Sequence, residues 1–417
     1  MNKICATILE VSKRDDRDEI LELEPLIEQE LQKDPHNTEL LVRLAMLVQD
    51  MPFADKIKSV DVLGKVLDYD SHNGIAMILR AYLSYWYSRN IKKSWCDDLS
   101  SVTTGDTEVD SMMRFTASLY YETEDVSGGS EYEKLLLESI DLCQDHVNNY
   151  KALAKLYLKQ GKYSEAEKFA KTALKNVVKI YTGISGYPNP DITDYNKFFS
   201  EFVKGTHLTD TSIWRIQKIG IEACARNKLQ RDPLQINALL DLAVAELFNH
   251  SISSEKKFVS INKVLSQDKD NPTALILLAY QAYIDKNFDE SLVQKLTTFK
   301  TVAPEINSMF LFSASRLYVN NDGEKCEELL LQSIKEYPWL VHNYLDLAQL
   351  YTKQHKLVEA KDIKQKAFNN VARIFSIDEE FRNIENVEKL INQAIKGIWL
   401  SEQAYKSLYE ELSTPNQ

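Results

Sequence analysis

Apolar residues recur three and four apart through residues 149–181, NYKALAKLYLKQGKYSEAEKFAKTALKNVVKIY, in two runs separated by Gly161. The first run extends from Tyr150 to Lys159 and aligns Leu153, Ala154 and Tyr157. The second opens at Ser164 and aligns Ala166, Phe169, Ala170 and Ala173. This spacing gives each segment one buried stripe and predicts two short helices. Small residues at Ala154, Ala166 and Ala173 let the two approach closely. Gly161 supplies a left-handed stop, and Ser164 with Glu165 behind it makes an N-cap.

The same pattern runs along much of the chain. Residues 1–34 read as helical, with Leu21, Leu23, Leu26, Ile27 and Leu31 on one face. A first pair follows, lined by Leu41, Leu44, Ala45 and Val48, then by Leu63, Val66 and Leu67. The second pair begins with Ala76–Trp86, and its partner near Ile91–Val102 is poorly patterned. A third pair carries Met113, Ala117 and Tyr120, then Leu136, Ser139 and Ile140. The segment Gly183–Asp194, with two prolines and two glycines, predicts a loop. Beyond it, Tyr195–Val203 and Thr209–Leu229 read as helices.

The chain then repeats itself on a longer period. LQKDP at 31–35 returns as LQRDP at 229–233, and Lys65-Val66-Leu67 returns as Lys263-Val264-Leu265. Residues 149–181 return as 343–375, with 15 of the 33 positions identical. A shared helical pattern alone does not give that many identities. The expected organisation is an internal duplication into 1–205 and 206–417, each half holding about four helix pairs and a tail. The two halves would form one continuous superhelix.

Tyr150, Leu153, Ala154, Tyr157, Gly161, Ala166 and Ala173 fall at the signature offsets of the tetratricopeptide repeat (TPR), which this stretch resembles. The resemblance covers about eight degenerate units. His355 stands where Gly161 stands in the first half, and the signature Trp is absent at the first apolar position. It implies an all-α fold, a right-handed α-solenoid of helix–turn–helix repeats. It also implies that the first helix of each unit lines a concave face. On that face fall Tyr82, Tyr85, Trp86, Tyr121, Lys151, Lys155 and Lys159 in the first half. Tyr280, Tyr283, Tyr318, Gln349 and Lys353 follow in the second. Tyrosine offers flat apolar area with a hydroxyl and suits peptide or helix capture. Neighbour packing explains repeated tyrosines equally well. Lysines one helical turn apart suit an acidic segment, but a solvated face reads the same way.

Composition narrows the function. Gly (12) and Pro (10) are scarce, which favours helices, and the formal net charge is −12. An acidic balance argues against sequence-independent binding to nucleic acid or anionic lipid. The five cysteines are scattered, with no CxxC, as in a reduced cytoplasmic protein. The apolar run Ile4–Val11 is too short to span a membrane, so neither a leader nor membrane insertion is expected. The chain has no HExxH, no Gly-rich phosphate loop and no GxSxG, and its seven histidines are dispersed. No cofactor, metal site or catalytic set is therefore expected. The expected function is a non-catalytic adaptor that binds a peptide, helix or folded partner in the concave face. A basic partner such as a toxin suits the charge, in an immunity-type role, and the chain itself is a candidate homodimer. Two alternatives stand beside this reading. One is a peptide-sensing regulator, and the other is an enzyme accessory with its site in the tails at 183–205 and 376–417.

Overall fold

The computed structural model describes residues 17–50, 56–88, 91–123, 129–182, 210–247 and 254–377. The expected loop at 183–194, the helix at 195–203 and the division at 205/206 lie outside these residues. So does nearly all of the C-terminal tail.

Every regular element among the described residues is a helix. A leading helix α1 (Arg17–Lys33) precedes the pair α2 (Thr38–Asp50) and α3 (Lys56–Tyr69). Next come α4 (Gly74–Ser88) with the short α5 (Lys93–Ser101), and α6 (Thr107–Thr123) with α7 (Gly129–Leu142). The pair α8 (Val147–Lys159) and α9 (Tyr163–Thr182) is the one read first from the sequence. Helix α10 (Asp210–Arg231) follows. Then come α11 (Ile236–Leu247) with α12 (Ser254–Gln267), and α13 (Pro272–Ile284) with the short α14 (Glu290–Thr298). The array continues with α15 (Pro304–Tyr318) and α16 (Gly323–Glu336), then α17 (Val341–Lys353) and α18 (Leu357–Ile377). Contacts divide the chain within α10 into an N-terminal body, Met1–Gly220, and a C-terminal body, Ile221–Gln417.

Each body is built from helix–turn–helix units of the kind the TPR resemblance implies. Most consecutive helices pack on each other, and successive first helices, α4 with α6 and α13 with α15, also touch. Three of the turns between helices share one chemical device. Asn37, Asn73 and Asn271 each accept from the backbone N–H three residues on, and each amide side chain donates to an aspartate three residues back. That satisfies an orphan donor at the next helix start.

The turns within units are Schellman turns in three places. Gly161 has φ +73°, and Lys162 N–H donates to the Tyr157 carbonyl at 2.9 Å. Lys286 (φ +54°) and His355 (φ +61°) adopt the same turn, with Asn287 N–H donating to Ala282 O and Lys356 N–H to Tyr351 O. The backbone demand is thus met once by glycine and twice by residues that carry a Cβ.

Small polar residues link facing helices through buried hydrogen bonds. Between α6 and α7, Ser111 Oγ donates to Ser139 O at 2.8 Å and Ser139 Oγ donates back to Ser111 O at 2.6 Å. The C-terminal body repeats this between α15 and α16 with Ser308 and Ser333, at 3.0 and 2.7 Å. Tyr157 and Tyr351 each donate to a glutamate on the preceding helix, Glu133 and Glu327. The helices α5 and α14, nine residues each, also stand at matching places. After α9 the start of α10 closes the N-terminal body. Ile216 packs with Val147, Tyr150 and Ala173, and a Cβ at Gly220 would sit 3.4 Å from that of Ala170.

Candidate functional site

The residues singled out by the TPR register lie on the first helices, and each body joins three of those helices through one line of side chains. In the N-terminal body the line starts at Tyr85 on α4, whose hydroxyl donates to Glu122 on α6 at 2.7 Å. Lys155 on α8 donates to the other carboxylate oxygen, also at 2.7 Å. Burial alone would raise the Glu122 carboxyl, but Lys155, the Tyr85 hydroxyl and nearby Lys159 outweigh it and hold it below its usual range. In the C-terminal body the line starts at Tyr283 on α13, whose ring lies 5.1 Å from the Arg316 guanidinium of α15. Arg316 in turn forms two hydrogen bonds to Asp346 on α17, at 2.7 and 3.3 Å. Burial disfavours the guanidinium charge, and Asp346 more than restores it. The two lines have the same plan with the charges reversed.

Aromatic area flanks both lines. Trp86 is 50% exposed, next to Tyr85 (centroids 5.5 Å) and Tyr82 (6.2 Å). Tyr82 and Tyr85 themselves are buried, at 5% and 7% exposure. Burial pushes the Tyr82 hydroxyl up to about 12. Tyr121 is half-buried and stacks edge-on against Tyr120 at 5.2 Å. In the C-terminal body a cleft of about 60 Å³ opens between α13 and α15, lined mainly by Tyr280, Tyr283, Met309, Phe312 and Arg316. Arg316 also stacks on Phe312 at 4.5 Å. Tyr318 lies apart from this cleft, its hydroxyl on Glu290 of α14 and its ring against Phe288.

The lysines separate by environment. Lys159 is exposed, and Lys155 is committed to Glu122. Lys151 is half-buried and donates to Asn148 Oδ1 at 2.8 Å. Burial first, then the Arg215 guanidinium of α10 and the Lys155 ammonium, push the Lys151 amine down to about 8, against the opposing pull of Glu122. On α17, Gln349 and Lys353 are exposed.

The face rule taken from the TPR register did not reach Glu122, Arg316, Asp346 or Arg215. A signal was present for Arg316, a lone cation in the run MFLFSASRLY. None existed for Arg215, which belongs to a helix outside the repeat pattern. No described group of three His, Cys, Asp or Glu side chains is placed to hold a metal ion. No described helix is long and apolar enough to cross a membrane. Burial pushes the Cys96 thiol up to about 12 and the Cys326 thiol up to about 11, away from the reactive thiolate form.

Paired helices, shared turns and side-by-side first helices make an all-α helical-repeat fold of the helix–turn–helix kind that the tetratricopeptide resemblance implies. No protein-family model matches the chain, and no curated protein matches it. Among solved structures it is similar to the Naa15/Naa10 assembly bound to HypK-THB (13% identity, TM-score 0.26), covering 99% of this chain and 68% of that one. It is also similar to yeast Tom70 (11% identity, TM-score 0.32), covering 98% and 99% of the two chains. A third is the TPR domain of P58(IPK) (14% identity, TM-score 0.21), covering 99% of each. These superpositions are distant, and the class rests on the helix pairs and turns of this chain itself.

Proposed function

We propose that the protein is a non-catalytic interaction module that holds a polypeptide partner against the first helices of its repeats. One observation carries this reading. In each body a line of side-chain contacts ties three successive first helices together and leaves aromatic surface beside it. That makes a pre-organised face with the residue types that anchor partners, Trp, Tyr and Arg. Trp86, large and half exposed, is the natural anchor in the N-terminal body. The cleft at Tyr280, Tyr283 and Arg316 is its counterpart in the C-terminal body. We further propose that the two bodies arose by internal duplication, which the recurring serine pairs and short helices support. The net charge of −12 favours a partner that is basic overall, such as a toxin in an immunity-type pairing.

The test is affinity capture with the tagged full chain. Wild type is compared with Trp86→Ala and with Tyr283→Ala, both checked for unchanged helical content. The expected result is one stoichiometric partner whose recovery falls at least about tenfold in one or both variants, the size of a single hot-spot loss. A partner retained in full by both variants would move binding off this face.

A further inference from the structure

We propose that Arg80, Lys92 and Trp95, with the uncapped start of α5, form a binding site for a single phosphate group. The site uses none of the residues of the proposed partner-binding face and stands independently of that reading.

One indole holds both cations. The Arg80 guanidinium of α4 lies 4.3 Å from the centre of the Trp95 ring, and the Lys92 ammonium lies 5.2 Å from it. Stacking satisfies the face of a guanidinium but not its in-plane N–H donors. In Arg80 the Nε–H is shut off from solvent and has no hydrogen-bond partner among the described residues. Arg316 shows the completed arrangement in this same chain. Its face lies on Phe312 at 4.5 Å, and its edge donates to the Asp346 carboxylate at 2.7 and 3.3 Å. Arg80 has the stacked face without an oxyanion at its edge. Asp68 and Asp98 lie in its field, but both are exposed side chains, and neither forms an ion pair with it.

The start of α5 adds to this. In the C-terminal body Asp289 caps α14, accepting from the Ser291 and Leu292 N–H groups at 2.9 and 3.2 Å. Lys92 stands at the matching N-cap of α5 and makes no side-chain cap bond. A lysine side chain has no acceptor, so the first N–H groups of α5 point out beside two cations without a capping oxygen. Backbone donors at a helix start bind anions in this way. Lys93 is not part of the surplus, because Asp97 takes it at 3.0 Å. Leu278 stands where Arg80 stands, and Leu292 where Trp95 stands. The C-terminal body thus has two leucines and a capping aspartate where the N-terminal body has Arg80, Trp95 and Lys92. Two cations and a helix start match the double charge of a phosphate better than the single charge of a carboxylate. A long polyanion would run off this corner onto a chain of net charge −12, so the ligand is one phosphate group rather than a nucleic acid.

The probe is inorganic phosphate, titrated into the full-length protein at constant ionic strength and read by tryptophan emission. Wild type is expected to show a saturable change that Trp95→Phe removes. Arg80→Leu and Lys92→Asp install the residues of the C-terminal body and should each weaken binding about tenfold, as loss of a charged hydrogen bond does. Lys92→Asp also supplies the missing cap and should raise the midpoint of thermal unfolding, so its loss of binding cannot be a loss of fold. A fluorescein-labelled phosphoserine peptide and its unphosphorylated form, followed by anisotropy, separate the sources of the phosphate. Binding of the phosphorylated form alone assigns the site to a modified polypeptide, and that binding should weaken as pH falls through about 6, where the phosphate takes a proton. Binding of inorganic phosphate without the peptide assigns the site to a small phosphate ligand. No response of wild type to phosphate overturns the proposal. So does an equal response to acetate, or full binding retained by Arg80→Leu or Lys92→Asp. The capture experiment reads Trp86 and Tyr283, so either proposal can fail while the other stands.

Discussion

At the scale of single residues, three turns with the same hydrogen bonds use different side chains. Gly161 adopts its left-handed φ freely, and a Cβ there would meet no atom within 4 Å, so any cost of substitution is conformational. Gly161→Ala is expected to destabilise the N-terminal body by about 1 kcal/mol, read from the urea midpoint. His355→Gly should lower the strain of the equivalent turn, partly offset by the added freedom of the unfolded chain, for a net gain of a few tenths of a kcal/mol. A large loss in the second variant would show that the His355 side chain holds the turn. Lys151 gives a second prediction. Its folded value lies near 8, below the ordinary lysine value of 10.5, so the unfolded chain binds more protons between these pH values. The resulting destabilisation is fully present below about pH 8 and fades as pH rises toward 10.5. Wild-type thermal stability should therefore gain from pH 7 to 9 relative to Lys151→Met, and equal pH curves would contradict this. The sequence showed where the glycine stop lay, and that His355 replaced it. It did not show that the backbone keeps the same φ, because that is set by the two carbonyls the turn must satisfy.

At the scale of elements, the helix pairs with long stripes were legible and the short helices were not. The sequence placed a helix over Thr209–Leu229, and the structure has Asp210–Arg231. The partner of α4 was poorly patterned for a physical reason: α5 has nine residues and buries Cys96 and Leu99, too little for a periodic signal. Ser139 was read correctly as part of the buried stripe of α7. Its exchange of hydrogen bonds with Ser111 depends on the depth of helix approach, which no periodicity encodes. That exchange is measurable. Ser139→Ala should cost about 1–3 kcal/mol, since it leaves the Ser111 carbonyl and the Asn149 side-chain amide short of a partner in a buried contact. A double-mutant cycle with Ser111→Ala should return a coupling above about 0.5 kcal/mol. Additive losses would mean the two hydroxyls act separately.

At the scale of the whole molecule, the sequence marked which helices carry the candidate face but not how much of each side chain that face shows. Tyr82 and Tyr85 sit at the face positions, yet they are covered, because side-by-side first helices bury aromatic bodies that a single-helix register leaves free. Trp86, one position on, stays half exposed. If the partner is basic overall, its association rate should fall steeply with ionic strength while its dissociation rate changes little. Stopped-flow measurements across a salt series read this directly, and a flat association rate would remove the basic-partner proposal. The short helices α5 and α14 bear on history as well as on packing. On the proposed duplication, a shortening present at the same place in both halves predates the copying. The reversed charges of Tyr85–Glu122–Lys155 and Tyr283–Arg316–Asp346 then came later. On that proposal the framework would be inherited and the charged faces separate acquisitions, so that recognition would have diverged between the halves while their architecture stood still.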